Sequence, residues 1–182
     1  MYKVTSQRPG IVGQTPGKTL IGYEFEDAFG AWLSDALELP RNCVSPGWSF
    51  AREKVQDWAD CAVFYLGTVK TDDIVQDPTE DGGTIIDYYG QLTITVVLYG
   101  MNARLLSMLL CDTFSVAQNA DQLRKVCGLA HVDSQVQAQL LEPVGGDYRQ
   151  RADVSITFNY HYQRTWAVRP IAEAPDASIF KS

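Results

Sequence analysis

From Phe25 onward, apolar residues recur every three or four positions: Phe25, Phe29, Trp32, Leu33, Ala36 and Leu37. This spacing predicts an amphipathic helix of about 13 residues with one buried stripe. Glu24, Glu26 and Asp27 favour its N-terminus through the helix dipole, and Pro40 stops it. Pro46 and Gly47 then put Trp48 on an irregular turn. The run WADCAVFYLG, 58–67, is almost wholly apolar with aromatic and β-branched members, which predicts a strand buried on both faces. The pattern lapses over 70–83, where Asp72, Asp73, Asp77, Glu80 and Asp81 accompany a proline and two glycines. That composition predicts a solvated loop between two strands.

Alternation resumes over 91–99, with Leu92, Ile94, Val96 and Leu98 on one face and Thr93, Thr95, Val97 and Tyr99 on the other. The upstream TIIDYY extends this strand past Gly90, where a bulge is expected. Asn102 then reads as the N-cap of a helix over 102–118, apolar round much of its circumference and so expected to be well buried. A short helix over 121–126 closes on Gly128 as its C′ residue. Short strands follow at 129–132 and 136–141, and Gly145, Gly146 and Asp147 mark a turn. The clearest period of two comes last. Ala152, Val154, Ile156, Phe158, Tyr160 and Tyr162 alternate with Asp153, Ser155, Thr157, Asn159 and His161, a strand of about 12 residues covered on one face.

This order of elements predicts an α+β fold: a mostly antiparallel sheet with its helices packed on one face. The ends fall outside it. Residues 1–22 carry Gly10, Gly13, Gly17, Gly22, Pro9 and Pro16 with few apolar positions, and residues 166–182 are as weakly patterned. Both read as extended arms around one domain over 23–165.

The composition narrows the function. Of 182 residues, 46% are hydrophobic and 20% charged, enough for a core. A net charge of −7 argues against a reader of nucleic acid, which neutralises phosphates with Lys and Arg. No apolar run is long enough for a membrane span, which takes about 18 residues, and the N-terminus has no apolar signal-peptide core. Cys43, Cys61, Cys111 and Cys127 are widely spaced among apolar neighbours and read as buried, reduced thiols of a cytosolic protein.

No reaction chemistry stands out. GQTPGKT, residues 13–19, is one residue short of phosphate-loop spacing and lacks a preceding strand. The acidic residues of 70–83 lack the alternate spacing of a calcium loop, and Pro78 interrupts them. A hydrolase would have to pair Cys111 or Cys127 with His131, but thiols in apolar surroundings are poor nucleophiles. His161 lies on the polar face of its strand, an ordinary place for a surface histidine. The expectation is no catalytic residue, no metal and no cofactor; a soluble ligand-binding α+β module is a further alternative. Tyr2, Tyr23, Trp48, Trp166 and Phe180 lie in poorly patterned segments, where aromatic side chains anchor an arm either to a neighbour or to its own domain.

Four stretches carry a resemblance. They are the Trp48 turn followed by the 58–67 strand; Val97-Leu98-Tyr99-Gly100 followed by Asn102-Ala103; Ala117-Gln118-Asn119 with Leu123 and Gly128-Leu129-Ala130; and Arg151-Ala152-Asp153 leading to Arg164-Thr165-Trp166-Ala167-Val168 and Ile171. In this order, over residues 45–172, the chain resembles the neck, or tail terminator, proteins of long-tailed bacteriophages. It departs from them at Ser115-Val116-Ala117-Gln118-Asn119, where the family often has a proline, and in a longer acidic segment. The resemblance implies a structural virion protein of the tail or neck, assembled in the host cytoplasm. Such a protein is a homohexameric ring that caps the tail tube and joins it to the head connector or stopper, with no catalytic residues. Head completion in the same neck is the alternative. An acidic lumen would let DNA pass without binding. The expected interface residues are Tyr2, Tyr23, Trp48, Asp72, Asp73, Asp77, Glu80, Asp81, Trp166 and Phe180.

Overall fold

A computed structural model of the chain describes residues 22–49, 60–79, 83–144 and 147–166. Helix α1 spans Tyr23–Ala36, α2 Ala103–Thr113 and α3 Ala117–Cys127. Strands β1 to β5 are Val44–Pro46, Cys61–Pro78, Thr84–Tyr99, Leu129–Val144 and Asp147–Trp166. They form one sheet in the order β1-β2-β3-β5-β4. Only β1 pairs in parallel, with β2; every other neighbour is antiparallel. The α+β reading is correct.

Period two decides what the sheet buries. Leu92, Ile94, Val96 and Leu98 of β3 lie beside Phe158, Ile156, Val154 and Ala152 of β5, and all are sealed from solvent. Onto this face α1 lays Phe25, Phe29, Trp32 and Leu33. Leu106 and Leu110 of α2 and Leu123 of α3 complete the layer. Phe29 is the hub of an aromatic cluster. Its ring centroid lies 5.1 Å from Phe64 and 6.3 Å from Phe158, both edge-on, and 5.9 Å from Trp32. Trp32 Nε1–H donates to the Asn119 carbonyl at 3.2 Å, tying α1 to α3. Among the described residues, the opposite face buries a small group, Cys61, Val63, Val97 and Tyr99, with Cys43 against it.

The strands outrun this layer. β5 has 20 residues, about 66 Å when extended. The longest helix, α1, has 14, about 21 Å. The helices cover one stretch of the sheet, and the outer parts of β2, β3 and β5 project beyond them. On β2, Cys61 to Phe64 are buried, whereas every residue from Lys70 to Pro78 is exposed.

Several expectations from sequence are corrected. Residues 70–78 are not a loop: β2 continues to Pro78, paired with β3 as far as Thr84. Ladder hydrogen bonds, and not burial, hold this charged segment straight, so its hydropathy gives no sign of a strand. The expected bulge is present near Gly90, but on the partner strand, between Thr71 and Asp73. The helix expected over 102–118 ends at Thr113, and a second begins at Ala117, longer than the expected 121–126. Nor is the first of these well buried: Leu105, Met108 and Leu109 are exposed on α2. Asn102 makes no side-chain cap; its amide donates to Asp60 Oδ2 at 2.7 Å. The two short strands over 129–141 are one strand, β4, with register shifts at His131/Asp133 and Val136/Ala138. These shifts break the alternation that the sequence reading needed. Gly128 closes α3 in the left-handed region, φ 71°, as expected of a C′ glycine. The turn predicted at Gly145 and Gly146 and the two arms, 1–21 and 167–182, lie outside the described residues.

Candidate assembly surfaces

The expected interface residues gather in two places. Tyr23 opens α1 and Trp48 reaches its first turn; both are strongly exposed, at 75% and 70%. Trp48 Nε1–H donates to Glu26 Oε2 at 2.8 Å, so the indole is fixed in place while its face stays open. Glu26 is three residues on from Tyr23, on the same side of the helix. The second place is the projecting arm. Asp72, Asp73 and Asp77 stand exposed along β2, with Lys70 Nζ 2.9 Å from Asp72. Trp166 closes β5 opposite Thr84, half-buried, with no hydrogen-bond partner for its buried Nε1 among the described residues. Tyr2, Glu80, Asp81 and Phe180 lie outside the described residues.

Sequence reasoning missed what braces the arm. Tyr88 of β3 stacks on Tyr162 of β5, centroids 4.6 Å apart and planes 7° apart. The Arg164 guanidinium covers both rings, 5.7 Å from Tyr88 and 5.1 Å from Tyr162. On the other face Tyr89 stacks on His161 at 4.5 Å. His161 Nε2 lies 2.6 Å from Asp87 Oδ1, which also accepts from Gln163 Nε2 at 3.2 Å. His161 is a surface histidine, as expected, and its ring is also engaged in the arm. The available signal was TIIDYY, rich in aromatic and β-branched residues, which continues β3 upstream of Gly90.

At the other end of the sheet a charged centre forms. Arg151 holds both oxygens of Asp153 at 2.7 and 2.8 Å and Glu142 Oε2 at 2.9 Å, with its guanidinium 5.9 Å from the Tyr99 ring centre. Hydrogen bonding to Asp153 holds the arginine protonated. Burial, with Glu142 beside it, pushes the Tyr99 phenol up to about 12. Both carboxylates are largely shielded, at 18% and 17% exposure. Replacing Arg151 with Ala should therefore lower unfolding stability by about 2 kcal/mol, because two carboxylates lose their counter-charge. Urea denaturation at neutral pH measures this.

The cysteines and His131 do not assemble a nucleophilic pair. Cys127 is buried in the main core and Cys111 packs against it, and the four cysteines form no disulfide. Burial, with Cys43 close by, pushes the Cys61 thiol up to about 11. His131 stacks on Phe114 at 4.2 Å, planes 1° apart, and its buried Nε2 has no hydrogen-bond partner, thiol or other, among the described residues. Burial holds the imidazole below its ordinary 6.5, against smaller raising effects of Asp133. The unfolded chain thus binds this proton more readily than the folded one. The stability that neutral His131 confers is complete above 6.5 and falls as pH drops through 6.5 toward the folded value. Relative to His131→Phe, the native chain should lose stability on going from pH 7.5 to 5.5. Paired urea titrations check this, and parallel pH profiles would contradict it.

Among the described residues, no three His, Cys, Asp or Glu side chains converge as metal ligands, and no helix is long and apolar enough to cross a membrane. The most exposed features are the braced arm, the Tyr23–Trp48 corner, and the apolar outer side of α2, with Met101 also exposed ahead of it. Fold and surfaces together define an α+β sheet protein with a projecting three-stranded arm. A family model described as phage neck terminator protein matches residues 23–181, and the chain belongs to that family. It is accordingly a structural protein of the bacteriophage neck, a virion component whose partners are other head and tail assembly proteins. No curated protein matches the chain.

Proposed function

We propose that copies of this chain close into a sixfold ring that caps the end of the tail tube and joins the tail to the head connector or stopper. The family match over residues 23–181 carries the reading. The exposed surfaces support it. A closed ring needs two different patches on each subunit, one meeting the other head to tail. The acidic arm and the Tyr23–Trp48 corner are two such patches, with Trp166 at the far end of β5 and Tyr2, Glu80, Asp81 and Phe180 supplied by segments outside the described residues. One domain over 23–165 would form the ring body, with arms 1–22 and 166–182 reaching neighbours. The mechanism is blockade: one ring face copies the tube's end, the other presents a different surface, and no bond is made or broken. A charge of −7 per copy gives the lumen a potential that repels phosphate, so DNA passes without adhering. Assembly takes place in the host cytoplasm.

The test is removal of the protein during infection, with particles viewed by electron microscopy. Tails of uncontrolled length, separate from filled heads, are the expected result. Tails of ordinary length fastened to filled heads would overturn the proposal.

A further inference from the structure

β1 pairs with β2 only from Ala62 to Phe64. Beyond that, among the described residues, the outer edge of β2 over 67–78 has no neighbouring strand, and nearly all of these residues are exposed. This is a length of about 40 Å of unpaired N–H and C=O groups. Its charge is lopsided, with Asp72, Asp73 and Asp77 against Lys70.

The N-terminal segment has the opposite character. Residues 1–21 contain Lys3, Arg8 and Lys18 and no acid. Within them, residues 2–7 (Tyr-Lys-Val-Thr-Ser-Gln) lack Gly and Pro and hold the aromatic and β-branched residues that suit a strand. Residues 8–21 carry Pro9, Gly10, Gly13, Pro16 and Gly17, a tether reaching at most about 50 Å.

The point of departure sets how an extended segment would lie on its own edge. Gly22 accepts from Glu26 N, Glu26 holds Trp48, and Gly47 presses on the Tyr65 ring, one residue past the last β1 pair. The segment therefore leaves beside the base of its own β2 edge. Laid antiparallel along that edge, residue 20 would stand opposite residue 67 and residue 9 opposite residue 78. Pro9 and Pro16 would fall within the pairing, and residues 2–7 would lie beyond its end.

We propose that residues 2–7 of one copy add as a strand to the β2 edge, residues 67–78, of a neighbouring copy, with Lys3 and Arg8 facing the aspartates there. This is β-augmentation, in which main-chain hydrogen bonds supply affinity and side chains supply register. The proposal rests on the ring reading and names one of its contacts.

Hydrogen exchange on the intact protein tests it, against a deletion of residues 2–7 and a Lys3→Glu/Arg8→Glu variant, each in its oligomeric form and diluted to monomer. Expected is protection of 67–78 that falls about tenfold on dilution and on either change, with 91–99 unaltered. Combining Asp72→Lys and Asp73→Lys with the charge-reversed N-terminus should restore it. Protection that survives dilution but not the deletion would place the segment on its own subunit and overturn the proposal. An oligomer whose 67–78 exchange ignores the deletion would overturn it while leaving the ring intact. A chain that stays monomeric at every concentration would fail the ring reading itself.

Discussion

Phe29→Ala should lower the unfolding free energy by about 3–5 kcal/mol, the range for emptying a large aromatic site in a packed core. Phe29 is fully buried and touches every layer of the main core: Phe25 and Trp32 on its own helix, Phe64 on β2 and Phe158 on β5. Those neighbours belong to rigid elements that cannot collapse into the space, so the loss should sit near the top of the range. A domain of this size has roughly 5–15 kcal/mol in all, so the variant should remain folded at low temperature but melt several degrees earlier. Chemical denaturation gives the value directly. A loss below about 1 kcal/mol would mean that α1 is not seated on the sheet as described.

Gly90→Val should cost about 3 kcal/mol and loosen the arm selectively. Gly90 pairs with Thr71 of β2 and Tyr160 of β5. A Cβ here would lie 2.0 Å from the Lys70 carbonyl oxygen and 2.9 Å from the Thr71 Cα. The obstacle is backbone, which no rotamer change relieves, so the strands must part. The local register shift, which brings Lys70 and Thr71 so close, is what excludes a side chain. Hydrogen exchange should show 70–78 and 84–89 opening while 92–98 keeps its protection. Uniform loss along β3 would mean that arm and core are not separable in stability.

What the sequence discloses follows from where burial acts. The stripe of α1 and the alternation of β3 and β5 are legible because one side of each is sealed and the other is not. The same logic fails on the arm. Residues 70–78 are wet on both sides, so nothing in their hydropathy distinguishes a strand from a loop. It fails on α2 in the opposite sense, since Leu105, Met108 and Leu109 are apolar yet exposed in the single subunit. An apolar residue in a sequence is therefore not by itself a buried one. Of the expected interface residues, Tyr23 and Trp48 stand out as aromatic side chains where the pattern lapses, and both are exposed near the first turn of α1. The Tyr88–Tyr162–Arg164 brace was not found, because its members lie far apart in the chain and only the β3–β5 register joins them.

That register has a mechanical consequence. All 16 residues of β3 pair with β5, from Thr84–Trp166 to Tyr99–Arg151, without a shift. The projecting strands are therefore the same strands that lie beneath the helices, and nothing on β3 or β5 acts as a joint between them. A load applied lengthwise at the tip becomes shear across many hydrogen bonds at once, and not the one-by-one unzipping of a hinged flap. Through β3 and β5, a push at one extremity would therefore be carried to the other as along a stiff beam.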